Sequence, residues 1–317
     1  MSSLSLLAQT VLSPYAENGN TGNCYEIFFA LDVLRSMGLT DADLDGLAGL
    51  LNRIKAANLR TVDKIDVALT LVRGRPVQAG GCVVAGQTVV GLRNVTQDDN
   101  DGGTGDIVLC LASGRELAVS IFAGKVKRDG AIEKCLSNPT CSRYGCTDAD
   151  ATAFKGIAAA AVPEYKKEMT LKYGADEEAW NRKPSAAAVK ACSVVAAATA
   201  ARFNALPAHE RVARFQDLTR CSNGGKPADM LCVVNPNCKK YALFNIVKSN
   251  IGATASAVSV RADQFWLYMT IDGQEVGKTQ VKFNNGVYHK GKTSSIISSW
   301  NASCYMNKVF TLESIVI

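Results

Sequence analysis

The chain has 317 residues, of which 47% are hydrophobic, 20% charged and 7% aromatic. That length suits one large domain or two smaller ones, and the composition excludes a mainly disordered chain. The net charge of +6 is uneven: −4 over residues 1–111, +5 over 112–220 and +5 over 221–317. An acidic first third followed by two basic thirds fits a protein that grips a polyanion and sets metal ions against it. The two histidines, His209 and His289, are too few for a metal centre built on several imidazoles. Neither a G-x-S-x-G elbow nor a P-loop is present. No run reaches the roughly 20 apolar residues of a membrane helix. The most apolar helical run, 189–201, is broken by Lys190, Cys192 and Ser193. Residues 1–12 lack a basic leader and a cleavage site. With an odd count of 11 cysteines, this sets the expectation of an intracellular chain with reduced thiols and no membrane partner. Its expected place is the cytoplasm, or the nucleus or a virus factory for a viral chain.

Asn23 can cap a helix running to about Met37, where Gly38 stops it. Ile27, Ala30, Leu31 and Leu34 recur at helical spacing, and Glu26 opens a mainly apolar face. A second helix starts at Asp41 or Asp43, with Leu44, Leu47, Leu51 and Ile54 on one side. A third covers about 61–73. The period then changes. Residues 82–84 and 88–92 read as a hairpin, 97–105 as an acidic, glycine-rich loop and 107–111 as a short strand. Ser113-Gly114 turns the chain into a returning strand, 116–122. There Leu117, Val119 and Ile121 face one way, and Glu116, Ala118, Ser120 and Phe122 the other. Helices dominate from about 148 to 220, the clearest being the alanine-rich 185–203. Strands return from Met230. Asp272-Gly273 marks a hairpin between 265–271 and 275–283, and a last strand lies near 309–317.

The expected fold is mixed α/β (α+β): a small mixed sheet flanked by helices, then a helical insertion and a C-terminal β-rich region. The corresponding segments are 1–147, 148–220 and a basic 221–317.

Asp106 opens a strand after Gly105. The next strand carries Glu116 and Ser120 on one face, and Lys125, Lys127 and Arg128 follow. Phosphodiester hydrolysis uses such a set. Carboxylates hold Mg²⁺, which activates water and offsets phosphate charge, and a lysine orients the nucleophile or stabilises the transition state. Asp106 is the expected metal ligand, with Glu116 or Ser120 completing the shell and Lys125 on the water or the phosphate.

Three segments carry a resemblance: Gly22-Asn23-Cys24-Tyr25-Glu26, Gly105-Asp106-Ile107-Val108-Leu109, and Glu116 through Phe122. Over roughly residues 20–145 the chain resembles the PD-(D/E)xK nuclease superfamily. The likeness is to type II restriction endonucleases and their relatives in bacteria or large DNA viruses. It implies Mg²⁺-dependent, site-specific cleavage of double-stranded DNA, with Glu26 from the first helix joining Asp106 as a metal ligand. Phe122 stands where the family's lysine falls, and Lys125 is the nearest substitute.

Residues 282–301 combine Lys282, Lys290 and Lys292 with Asn284, Asn285 and His289. Lysines neutralise phosphates, and amide and imidazole groups read base edges. This is the expected DNA-recognition loop, with Lys127, Arg128 and Lys134 as further backbone contacts. A homodimer suits symmetric cutting of a palindrome. Asp229 with Gln280 and Lys282 forms a second acid-and-lysine set. The cysteine groups 135/141/146 and 221/232/238 lack the C-x₂-C spacing of zinc sites, so free thiols are expected before a shared zinc. Two alternatives stand beside the nuclease: a DNA-binding protein of the same fold without catalysis, and a viral structural or interaction protein.

Overall fold

A computed structural model describes residues 2–77, 81–95, 105–126, 130–136, 139–180, 183–219, 228–251, 257–282 and 300–315, with the backbone alone at Lys125. The chain opens with helices α1 (Ser3–Leu12), α2 (Asn23–Ser36), α3 (Asp41–Gly46), α4 (Ala48–Ala57) and α5 (Val62–Arg73). Strands β1 (Val83–Val84), β2 (Gln87–Asn94), β3 (Ile107–Leu111), β4 (Glu116–Val126) and β5 (Ile132–Cys135) follow. Then come α6 (Asp148–Tyr173), α7 (Ala186–Ala205) and α8 (Ala208–Leu218). The rest is β6 (Met230–Val234), β7 (Tyr241–Ser249), β8 (Val258–Asp263), β9 (Trp266–Ile271), β10 (Gln274–Gln280), β11 (Asn301–Tyr305), the short helix α9 (Met306–Val309) and β12 (Phe310–Ile315). The fold is mixed α/β.

Two compact units emerge, and both are discontinuous in sequence. One comprises 1–133, 223–249 and 310–317; the other comprises 134–222 and 250–309. These boundaries cut across the three consecutive segments read from the sequence.

In the first unit the strands run in the order β1-β2-β3-β4-β6-β7-β12. All neighbours are antiparallel except β4 and β6, so the chain must leave after β4 and re-enter in the same direction. The β1–β2 turn uses Ala85 and Gly86, both at positive φ, which suits the right-handed twist of the flanking strands. Leu117, Val119 and Ile121 of β4 join the core, as alternation requires. The predicted 23–37 helix is α2. The expected second helix is broken into α3 and α4, where the backbone turns at Leu47. Thr40 and Asp43 cap α3 reciprocally. Helix α1 has only a weak apolar signal in the sequence. It is capped by the Ser2 hydroxyl and buries Ala8, Val11 and Leu12.

Helix α2 packs against α1, α5 and β4 and is buried along its whole length, polar residues included. Arg35 donates to the carbonyls of Leu39, Arg73 and Arg75. Asp32, only 1% exposed, accepts from Arg75 at 2.5 Å and from the Tyr241 hydroxyl at 2.7 Å. Burial pushes the Asp32 carboxyl up, while Tyr241 and Arg75 pull it back. The Tyr241 ring also meets Phe28 and Phe29 edge-on, so one β7 residue holds α2 by both apolar and polar contacts.

In the second unit β8-β9-β10-β11 form an antiparallel sheet in that order. The predicted Asp272-Gly273 hairpin is present, with both residues at positive φ. Helix α7 packs on β8 and β9. Its start is held from α6: the Glu168 carboxylate accepts from the Ala186 and Ala187 N–H groups and the Ser185 hydroxyl. This carboxylate sits at the positive end of the α7 dipole. Burial opposes its ionisation, but Lys172, the two N–H groups and Ser185 outweigh that and draw the pKa down to about 2. The depressed value means that Glu168 contributes its full stability above the ordinary carboxyl range and loses it as pH falls towards 2. Glu168→Gln is therefore expected to lower stability at pH 7 by about 1 kcal/mol. The gap from the parent should close between about pH 4.5 and 2, as urea melts at stepped pH would show. A gap independent of pH would contradict a charged cap.

Candidate functional site

The site is built around β4. A Cβ at Gly105 would stand 3.2 Å from both the Ala118 Cβ and the Val119 nitrogen, so any side chain there would have to displace β4 by a few tenths of an ångström. Asp106 follows. Its N–H donates to the Val119 carbonyl at 2.9 Å, and its own carbonyl accepts from Val95. The β3–β4 ladder ends with Ile107 opposite Val119, so the Asp106 N–H adds an irregular bond to the same carbonyl. The Asp106 carboxylate accepts from the Ile121 N–H at 2.5 Å. Asp106 is thereby held against β4, with Ser120 one residue before its anchor point.

A second aspartate converges on the same stretch of β4. Asp229, immediately before β6, accepts from the Ala118 N–H at 2.8 Å. Successive N–H groups of a strand point to opposite edges. Asp106 thus caps β4 on its β3 side and Asp229 on its β6 side, with Ser120 between their anchor points. Asp229 was grouped in the sequence with Gln280 and Lys282. Its link to Asp106 spans more than a hundred residues and leaves no local signal. Among buried groups nearby, the Cys232 thiol is pushed well above its ordinary range by burial, with Asp106 and Asp32 adding negative charge.

Other expected residues lie elsewhere. Glu116 shares the β4 face of Ser120 but sits four residues along, roughly 13 Å away at the strand rise. It is exposed and paired with Arg93 at 2.9 Å. Glu26 is buried in the first turn of α2. The Lys125 backbone belongs to β4, which extends four residues beyond the predicted 116–122. Phe122, at the family's lysine position, is buried. Lys134 lies on β5 and is half-buried. Lys282 and Gln280 line a cavity of about 340 Å³ in the second unit, together with Lys183, Ser185 and Phe265. Lys127, Arg128, Asn284, Asn285, His289, Lys290 and Lys292 lie outside the described residues.

The chemistry of the donor set fits Mg²⁺. The Asp106 carboxylate and the Ser120 hydroxyl are hard oxygen donors. Mg²⁺ commonly takes only one or two carboxylates and completes its shell with water and substrate phosphate. Among the described residues no group of three or more His, Cys, Asp or Glu side chains is placed to share a metal ion. The described cysteines are free thiols. Of the two sequence groups, Cys232 and Cys238 belong to the first unit, and Cys141 and Cys146 to the second. Cys238 instead approaches Cys24 of α2.

No family model, curated protein or solved structure matches the chain.

The backbone role of Asp106 can be separated from any chemical one. Asp106→Ala leaves the Ile121 N–H without its acceptor and should cost about 1–3 kcal/mol. Asp106→Asn keeps an acceptor oxygen and should stay within about 1 kcal/mol of the parent. Guanidinium denaturation of both variants would check this. Equal loss in the two would mean that the negative charge, not the acceptor, holds β4.

Proposed function

We propose that the chain is a metal-dependent nuclease acting on double-stranded DNA. The observation that carries this is the Asp106 carboxylate held against β4 by the Ile121 N–H, one residue past Ser120. Asp106 would supply the anionic oxygen and Ser120 a hydroxyl. Lys125 is five residues beyond Ser120 on β4, roughly 16 Å at the strand rise, so the cation that orients phosphate or water would come from another segment. Bound Mg²⁺ would lower the pKa of a coordinated water and offset charge at the scissile phosphate. The basic residues after 111 would hold the DNA backbone, and two copies of the chain would cut both strands of a symmetric site.

A second function is favoured by one specific observation. Phe122 is 8% exposed, so the lysine position has been turned over to packing. A protein that kept DNA binding and gave up hydrolysis would tolerate this.

Incubating mixed-sequence duplex DNA with the pure protein, with Mg²⁺ or with EDTA, tests both. The expected result is discrete fragments with Mg²⁺ alone. Asp106→Asn should cut about 100-fold more slowly or worse. Uncut DNA that nevertheless shifts on a gel, increasingly so at low salt, would overturn the nuclease and support the binding protein. Neither cutting nor a shift would sink both and leave a structural or interaction role.

A further inference from the structure

The second unit's sheet has two unlike faces. Val258 and Val260 of β8, Leu267 and Met269 of β9, Thr279 of β10, and Ala302 and Cys304 of β11 are buried. Strand alternation places the intervening side chains on the opposite face. There Arg261 stands opposite Tyr268, Tyr268 opposite Lys278, and Trp266 opposite Gln280. The Arg261 guanidinium carbon lies 4.6 Å from the Tyr268 ring centroid, and the Lys278 ammonium 5.4 Å from that of Trp266. At the end of β11, the Lys308 ammonium lies 4.9 Å from the Tyr305 ring. Trp266, Tyr268 and Tyr305 are half-buried. Among acidic neighbours, Asp263 stands opposite Trp266 and 3.7 Å from Arg261, and Glu275 is half-buried on β10.

We infer that this face binds single-stranded nucleic acid by stacking bases on the faces of Trp266 and Tyr268 left open by Arg261 and Lys278, which lie over the other faces and meet the phosphates. Aromatic rings interleaved with cations are what an unpaired strand requires: a π-face for each base and a positive charge for each phosphate. The spacing also selects the single strand. Trp266 and Tyr268 are two residues apart on β9, about 6.6 Å along the strand. That is roughly twice the 3.4 Å per nucleotide of a stacked B-form strand, and a duplex does not offer its base faces. The inference uses none of the residues around Asp106 and stands apart from the proposed cleavage.

The chain provides its own reporter. Of its three tryptophans, Trp180 and Trp300 are buried and Trp266 is half-exposed. Titrating the full-length protein in EDTA with a labelled short oligothymidine should raise anisotropy and quench tryptophan emission. Trp266→Leu should abolish the quenching and weaken binding about 10-fold. Tyr268→Leu should weaken it similarly, and circular dichroism would confirm that both variants fold. An abasic oligonucleotide of the same length should bind about 10-fold more weakly than the parent oligonucleotide. Equal affinity for the abasic strand or for a duplex would overturn stacking in favour of a simple polyanion surface. So would unchanged affinity in the folded variants. Quenching without any metal-dependent cutting would leave this inference standing while the nuclease fell. Cutting with normal oligothymidine binding by Trp266→Leu would do the reverse.

Discussion

Helix α2 carries Asn23, Glu26, Asp32 and Arg35, and all four are buried. Removing such groups from water is costly unless each finds a partner in the protein. The chain meets that requirement from distant positions. Arg35 reaches three carbonyls, two of them at the end of α5 and just beyond it. Asp32 takes Arg75 from the segment after α5 and Tyr241 from β7. Asn23 shares the Asn58 carbonyl oxygen, while the Asn58 amide donates to the carbonyls of Tyr15 and Ile54. The first unit's helices and sheet are thus bound to α2 by bonds that have no substitute in water. Nonpolar packing around Phe28 and Phe29 supplies the bulk of the burial, but the polar links determine where each element sits.

Strand β4 has a comparable position in the sheet. It pairs antiparallel with β3 and parallel with β6, so both of its edges are in use. Where each neighbour begins, a carboxylate replaces the missing ladder partner: Asp106 on one side and Asp229 on the other. A carboxylate that accepts a backbone N–H is fixed in place, so these two groups set the edges of β4. The same fixation explains why burial of Phe122 and the outward pairing of Glu116 with Arg93 coexist with a well-defined Asp106.

In the second unit charge and apolar surface are separated by the sheet. Helix α7 is rich in alanine, lies against β8 and β9, and depends on Glu168 to start. The opposite face combines Arg261, Lys278 and aromatic rings.

Much of the local structure was determined by the sequence alone. The 23–37 helix, the 107–111 strand and the Asp272-Gly273 hairpin follow from periodicity and turn chemistry, which act over a few residues. The pairing of Asp106 with the next strand was also legible, because a tight turn at Ser113-Gly114 sets the register. Tertiary structure decided the rest. The meeting of Asp229 with β4 and the Tyr241–Asp32 bond join residues 111 and 209 positions apart. No spacing in the sequence encodes such contacts. Glu116 and Ser120 share a strand face in any reading, but only the structure showed that the Asp106 carboxylate is anchored at Ile121, next to Ser120 and well along β4 from Glu116. The aromatic and basic face of the second unit was hidden for the same reason. Its members alternate singly along separate strands and become a surface only when the strands pair.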